Sequence, residues 1–435
     1  MEYINSTNEN SFRSVSSRKT VFDYLFVLVL ILFAGRGSTF FASASLTENP
    51  AGVLLPVILS VILALKWKIV FNKNFYLLIL CLFIYFIAVS IKYGEFRPTI
   101  FLNYFFIFFI VYTVIKALKF NFFVVYEQII YFLAIIGLFL WGVQTILGGD
   151  TLYSYVARIP SIESFSNAST RALNIVFYSV QPTSISLLYG IPIPRNCGYA
   201  WEPGAFAVYL CLAIFVNLFI TKAERNNKTR YWILILALLS TQSTTGYVIF
   251  LVILFYYFYD KNMSMLIMAL PLVIILLISL FSLPFMSSKI IQVFNQVKDE
   301  DMLISNSVTE GVSYAPGRFL SFTIAFKDFL DNPVLGLGTV SEEGWTYKVG
   351  ASISTISGIG NLLAQFGIVG FLFFMILSLK SSFLIAKSFS YKGRFLLFLI
   401  IILISVSYSI ILLPLLMSFW MYSLFETNPS PHRKA

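Results

Sequence analysis

Three short stretches place charged or amide side chains at helix starts, where backbone N–H groups and the helix dipole favour an anion. The first, Arg195 to Leu210, reads RNCGYAWEPGAFAVYL. Pro203 suits the first helical position, where its missing N–H would have no partner anyway, and it pushes Glu202 out of the α region. A helix beginning near Glu202 turns its positive end toward Arg195, with Tyr199 and Trp201 as rings suited to a membrane interface. The second stretch, Pro316 to Gly338, reads PGRFLSFTIAFKDFLDNPVLGLG. Phe319, Phe322, Phe326 and Leu330 recur at helical spacing while Lys327, Asp328 and Asp331 fall mainly elsewhere, which predicts an amphipathic helix ended by Asn332-Pro333 and lying along the outer surface. Arg318 occupies its first turn, a position the dipole disfavours unless an anion is bound nearby. The third stretch, Ile356 to Gly370, opens polar and glycine-rich, and Asn361 and Gln365 share a face at i,i+4 spacing. All three offer donors or positive charge to a phosphate carried by a lipid.

Plainer roles are open to the same residues. Arg195 and Arg318 can snorkel or pair with Glu202 and nearby Asp residues. Glu202 can cap its helix. Asn361 and Gln365 can bond neighbouring helices, and Ser243 to Thr245 can satisfy broken backbone. Other chemistries are excluded more firmly. The one histidine, His432, stands four residues from the C-terminus, which leaves no imidazole for a triad or a histidine-ligated metal. Cys81, Cys197 and Cys211 are odd in number and show no metal spacing, and no Asp-rich motif is present. No metal and no cofactor are therefore expected.

The elements that hold these stretches are read from composition. Of 435 residues, 58% are hydrophobic, 11% are charged and 46 are Phe, and the mean hydropathy is +0.84. Such a chain is no soluble enzyme; it needs a bilayer as solvent. Its net charge of +10 is not clustered on a soluble surface, so no nucleic-acid partner is expected. Residues 1–20 are polar and precede no cleavage pattern, so no signal peptide is expected. Apolar runs at 21–41, 51–65, 75–91, 98–115, 124–147, 205–221, 264–283 and 356–379 are long enough to span. Residues 231–259 are interrupted by the polar run Ser240 to Gly246, read as a turn between short helices or a re-entrant hairpin, and 395–425 divides near Ser409. The expected fold is all-α, polytopic, with about twelve transmembrane helices and both termini on one side.

With a cytoplasmic N-terminus, nineteen of the 30 Lys and Arg but seven of the 20 acids fall in or beside the inner segments, as the positive-inside rule requires. The chain then divides into a cytoplasmic tail (1–20), N-terminal spans (21–147), a first periplasmic loop (148–204), central spans (205–283), a second periplasmic loop (284–355), C-terminal spans (356–425) and a cytoplasmic tail (426–435). Short amphipathic helices are expected in the two large loops, which also carry Arg171, Arg195 and Arg318.

An Arg-containing loop closing on Glu-Pro-Gly-Ala-Phe-Ala, a Gly-Arg helix running into Asn-Pro-Val-Leu-Gly-Leu-Gly, and a span with Asn361, Gly367 and Gly370 together resemble the O-antigen ligase and polymerase superfamily over about residues 190–380. These are GT-C-type membrane glycosyltransferases of the bacterial inner membrane. The resemblance implies a periplasmic reaction on an undecaprenyl-pyrophosphate-linked glycan donor, with the bilayer, an acceptor glycan, a chain-length regulator and a flippase as partners. Gly360 stands before Asn361 where ligases usually carry histidine, and the turn at 243–246 lacks arginine, so the resemblance points to a polymerase. A ligase acting on lipid A-core is the alternative, and a lipid-linked oligosaccharide flippase the third reading. In a polymerase, Arg318 and Arg195 would stabilise the leaving pyrophosphate, Glu202 would be the best-placed carboxylate for the acceptor hydroxyl, and Arg171, Tyr199, Trp201, Asn361 and Gln365 would contact substrate.

Overall fold

The apolar runs form helices in a computed structural model that describes residues 19–42, 44–46, 48–158, 164–167, 170–188, 191–222, 228–264, 316–338, 340–350 and 355–426, with positions 267, 271, 305, 308 and 353. In chain order the described helices are α1 (Val21–Gly35), α2 (Thr39–Ala42), α3 (Pro50–Lys66), α4 (Lys73–Tyr93), α5 (Pro98–Thr113, extended by a π turn to Leu118), α6 (Asn121–Leu147), α7 (Gly149–Val156), α8 (Pro203–Phe215, extended by a π turn to Ile220), α9 (Lys228–Ser240), α10 (Thr244–Lys261), α11 (Arg318–Asp331), α12 (Trp345–Lys348), α13 (Gly358–Ser388), α14 (Leu396–Ser407), α15 (Pro414–Trp420) and α16 (Tyr422–Phe425). Among them α4, α5, α6, α8 and α13 are long and apolar enough to cross a membrane, and α1, α3 and α14 are shorter apolar helices. The protein is a multi-pass membrane protein. The region 231–259 breaks into α9 and α10 at the polar run, and 395–425 breaks after Ser407. Of the span expected at 264–283 only positions 264, 267 and 271 are described, and of the loop expected from 284 to 355 the stretch 284–315 lies outside the described residues except for 305 and 308.

Helix α8 is the centre of the bundle and is buried along its whole length. Its small residues explain the close approach of its neighbours, as small side chains let membrane helices pack backbone to backbone. A Cβ on Gly246 of α10 would lie only 2.6 Å from the Ala207 Cβ of α8. Around this axis α6, α9 and α10 pack on α8, while α13 packs on α11, α14 and α15.

The segment between α6 and α8 carries strands as well as the expected short helix. Strands β1 (Ser164–Asn167), β2 (Thr170–Ile175) and β3 (Tyr178–Val180) form an antiparallel sheet, and β4 (Ile185–Leu188) pairs with β5 (Ile191–Pro194). Short runs of apolar and β-branched residues at polar turns favour this pleated state over a helix. The strands hang from the C-terminal end of α6: Tyr178 Oη donates to Gln144 Oε1 at 2.6 Å, and Trp141 Nε1 donates to the Pro194 carbonyl at 2.7 Å. They deliver the chain to Arg195.

Candidate functional site

The loop from Arg195 to Glu202 is fastened on two sides. Asn196 donates from its backbone N–H to the Ser240 carbonyl at 3.0 Å and from Nδ2 to Ser240 Oγ at 2.8 Å. Arg195 donates from Nε to the Thr241 carbonyl at 3.2 Å and from Nη2 to the Gln242 carbonyl at 3.3 Å. A cation at these carbonyls satisfies acceptors that the end of α9 leaves open. On the other side, the Trp201 N–H donates to the Gly35 carbonyl at 3.0 Å. Glu202 takes the N-cap position of α8 with Pro203 first in the helix, as its sequence dictates, yet its carboxylate makes no capping hydrogen bond. No ion pair joins Glu202 and Arg195 among the described residues.

Glu202 instead faces Tyr408, just beyond the end of α14. The Tyr408 hydroxyl accepts a hydrogen bond from Arg318 Nη2, and the Glu202 carboxylate is close enough to act on it electrostatically. The Arg318 guanidinium also lies 4.5 Å from the Tyr408 ring centroid, in cation–π contact. Its Nη1 donates to Thr245 Oγ1 at 3.1 Å, and the hydroxyls of Thr245 and Ser407 are 2.9 Å apart. The Trp201 ring meets that of Tyr408 edge-on at 6.3 Å. Burial pushes the Tyr408 phenol above its usual range, and the Glu202 carboxylate adds to this against the pull of Arg318 and Arg195. Tyr408 therefore keeps its proton while it holds Arg318, with Glu202 nearby.

Four helices begin around this tyrosine. Arg318 opens α11, Thr245 is in the first turn of α10, and Gly204 in the first turn of α8 lies so close beneath Tyr408 that a Cβ there would be 1.6 Å from the hydroxyl oxygen. Gly358 opens α13, and a Cβ there would be 2.1 Å from the Tyr408 carbonyl oxygen. Each helix start carries roughly half a positive charge. Arg318 is half-buried, and among the described residues two of its five N–H groups are engaged, which leaves donors that can face an anion. The arrangement can neutralise a phosphate-bearing leaving group and hold a carboxylate within the same shell.

The sequence-predicted residues separate accordingly. Arg318, Glu202, Arg195 and Trp201 come together around Tyr408. Tyr199, expected at an interface, is buried with its ring against Gly35 and Tyr209. Arg171 stands in β2 opposite Ser166. Asn361 turns to Thr355, accepting from its hydroxyl at 2.7 Å and donating to its carbonyl at 3.1 Å. Gln365 belongs to a break in α13, where Gly367 adopts φ 60° and ψ −161°. There the Gly338 N–H donates to the Gln365 carbonyl and the Leu337 N–H to that of Ala364, both at 2.8 Å, while the Ile368 N–H donates to the Pro333 carbonyl at 2.8 Å. The Asn-Pro-Val-Leu-Gly-Leu-Gly stretch is thus a strap that replaces lost helical hydrogen bonds, a requirement for broken helices at membrane depth.

The sequence does not single out Tyr408 and Ser407, marks Thr245 only as satisfying broken backbone, and marks Gly204 only as part of the Glu-Pro-Gly motif. The polar triplet Ser407-Tyr408-Ser409 marks the end of an apolar run, but nothing local pairs Tyr408 with an arginine 90 positions away. No group of His, Cys, Asp or Glu among the described residues is arranged to hold a metal. Residues 231–375 match the family model described as O-antigen ligase, a segment that includes Thr245, Arg318 and Asn361. No curated protein and no solved structure matches the chain.

Proposed function

We propose, from the match of residues 231–375 to the O-antigen ligase family model, that the chain is a member of the O-antigen ligase/polymerase superfamily and an O-antigen polymerase of the bacterial inner membrane. It joins undecaprenyl-pyrophosphate-linked oligosaccharide repeat units at the periplasmic face, within about twelve spans. The observation that carries this reading is the gathering of Arg318, Glu202 and four helix starts around Tyr408. The acceptor hydroxyl oxygen attacks the anomeric carbon of the donor, the bond from that carbon to pyrophosphate breaks, and undecaprenyl pyrophosphate leaves. Arg318 and the helix starts stabilise the charge growing on the pyrophosphate. Glu202 orients the acceptor hydroxyl and receives its proton. Arg195 braces the loop and adds positive potential, and Trp201 and Arg171 contact the glycan. A chain-length regulator and a flippase are the partners of this reaction.

Position 360 supports a polymerase over a ligase. Gly360 lies under α11, where a Cβ would be 3.1 Å from the Ala325 Cβ and 3.2 Å from Ser357 Oγ, so a larger side chain there requires its neighbours to give way. The ligase reading keeps one observation in its favour, the description of the matching family model. Lipopolysaccharide electrophoresis of cells lacking the protein separates the two. A polymerase leaves core bearing single repeat units, whereas a ligase leaves lipid-linked polymer unattached. Long-chain glycan at normal levels in both Arg318→Ala and Arg195→Ala cells would reject the roles given to these arginines.

A further inference from the structure

Helices α10 and α14 both reach Tyr408 at one end, through Thr245 and Ser407. At 1.5 Å per residue, the far end of the 18-residue α10 lies about 27 Å away. There a cavity of about 840 Å³ opens between the last turns of α10 and the segment joining α13 to α14, lined by Phe255, Tyr256, Tyr259, Lys392, Arg394 and Phe395 among others. We propose that this cavity binds an anionic glycerophospholipid of the surrounding leaflet, its phosphate held by Lys392 and Arg394 and its glycerol and acyl portions lying on the aromatic wall.

The two cations are fixed in place by their backbone while their side chains stay available. The Lys392 N–H donates to Asp260 Oδ1 at 2.6 Å. Ser382 Oγ donates to the Arg394 carbonyl at 2.6 Å. Between them Gly393 packs so tightly on Tyr256 that a Cβ would be 2.6 Å from the ring. Both charged side chains are exposed, and neither forms an ion pair among the described residues. Asp260, the acid beside them, is engaged by a backbone N–H. Two unpaired cations at the rim of an apolar wall call for an anion that also carries apolar mass. Phe255 and Phe395 remain 36% and 50% exposed on that wall, surface that a free phosphate ion would leave uncovered. Basic pockets between helix ends are the usual receptors for such headgroups, and the Lys and Arg distribution assigns this end to the cytoplasmic leaflet.

The test uses the full chain in phosphatidylcholine nanodiscs, with phosphatidylglycerol as probe and native mass spectrometry counting retained lipids. The expected result is at least tenfold preferential retention of phosphatidylglycerol, lost in Lys392→Ala/Arg394→Ala and kept in Lys261→Ala, whose ammonium instead lies over the Tyr257 ring outside the cavity. Should the double variant fail to fold, Lys392→Gln and Arg394→Gln each reduce the preference several-fold. Equal retention of phosphatidylcholine, or an unchanged preference in the folded variants, overturns the proposal. Displacement of the lipid by millimolar inorganic phosphate overturns it too, since that marks a site for the free ion.

Discussion

Tyr408 does two things to Arg318 that separate by mutation. Its ring faces the guanidinium at 4.5 Å and its hydroxyl accepts from Nη2. Tyr408→Phe keeps the ring contact and removes the oxygen that accepts from Arg318, so the proposed glycosyl transfer in membranes should fall by about tenfold, which is one hydrogen bond's worth of free energy. Arg318→Ala removes the cation itself and should cost about 10²–10³ in rate, the effect of losing one donor to a developing anion. Arg318→Lys should rescue little, because one ammonium cannot reach Thr245 and Tyr408 in the same fork. Arg195 is bound to the carbonyls of Thr241 and Gln242, so its replacement by Ala should act first on stability. A loss of about 1–3 kcal/mol, read as a lower melting temperature in detergent, is expected. An unchanged melting temperature with abolished activity would move Arg195 from brace to direct substrate contact.

At the scale of elements, the break in α13 is the most constrained feature. Gly367 has positive φ, and a Cβ there would lie 2.3 Å from the Val334 carbonyl oxygen. Gly367→Ala should therefore lower stability by about 1–3 kcal/mol from backbone strain alone, with more from the clash. Gly142, in the middle of a continuous turn of α6, has nothing within 4 Å of a built Cβ, so Gly142→Ala should be neutral or gain up to about 1 kcal/mol. Thermal melting of the two variants side by side checks both. The strap also explains an amphipathic helix with an unexpected contact face. α11 meets the bundle through Leu320, Ser321, Ile324 and Ala325, while Phe319 and Leu330 of the aromatic stripe stay exposed. Small side chains allow the close approach to Gly360, and the large apolar ones face outward toward lipid.

At the scale of the molecule, charge and hydropathy predict an orientation that reporter fusions test. Reporter fusions after Lys261 and Arg394 should register as cytoplasmic, and fusions after Lys348 as periplasmic, checked by a phosphatase and fluorescent-protein pair. The opposite pattern would turn the Tyr408 site inward and remove the periplasmic reaction. The long apolar helices, the break at Ser240 to Gly246, the helix starts at Pro203 and Arg318 and the stop at Asn332-Pro333 were legible in the sequence, because each depends on residues within one or two turns. The hairpin of β4 and β5 carried a weaker local signal, two short apolar runs separated by the Tyr189-Gly190 pair. What the chain could not announce is which helix starts meet. Tyr408 under Arg318, Thr245 beside Ser407, and Gly338 bonded to the Gln365 carbonyl join segments far apart in the chain. Local composition determined the elements, whereas the tertiary packing alone decided the site. The partner of a side chain at a helix end is chosen by how neighbouring helices pack, and no short-range pattern encodes that choice.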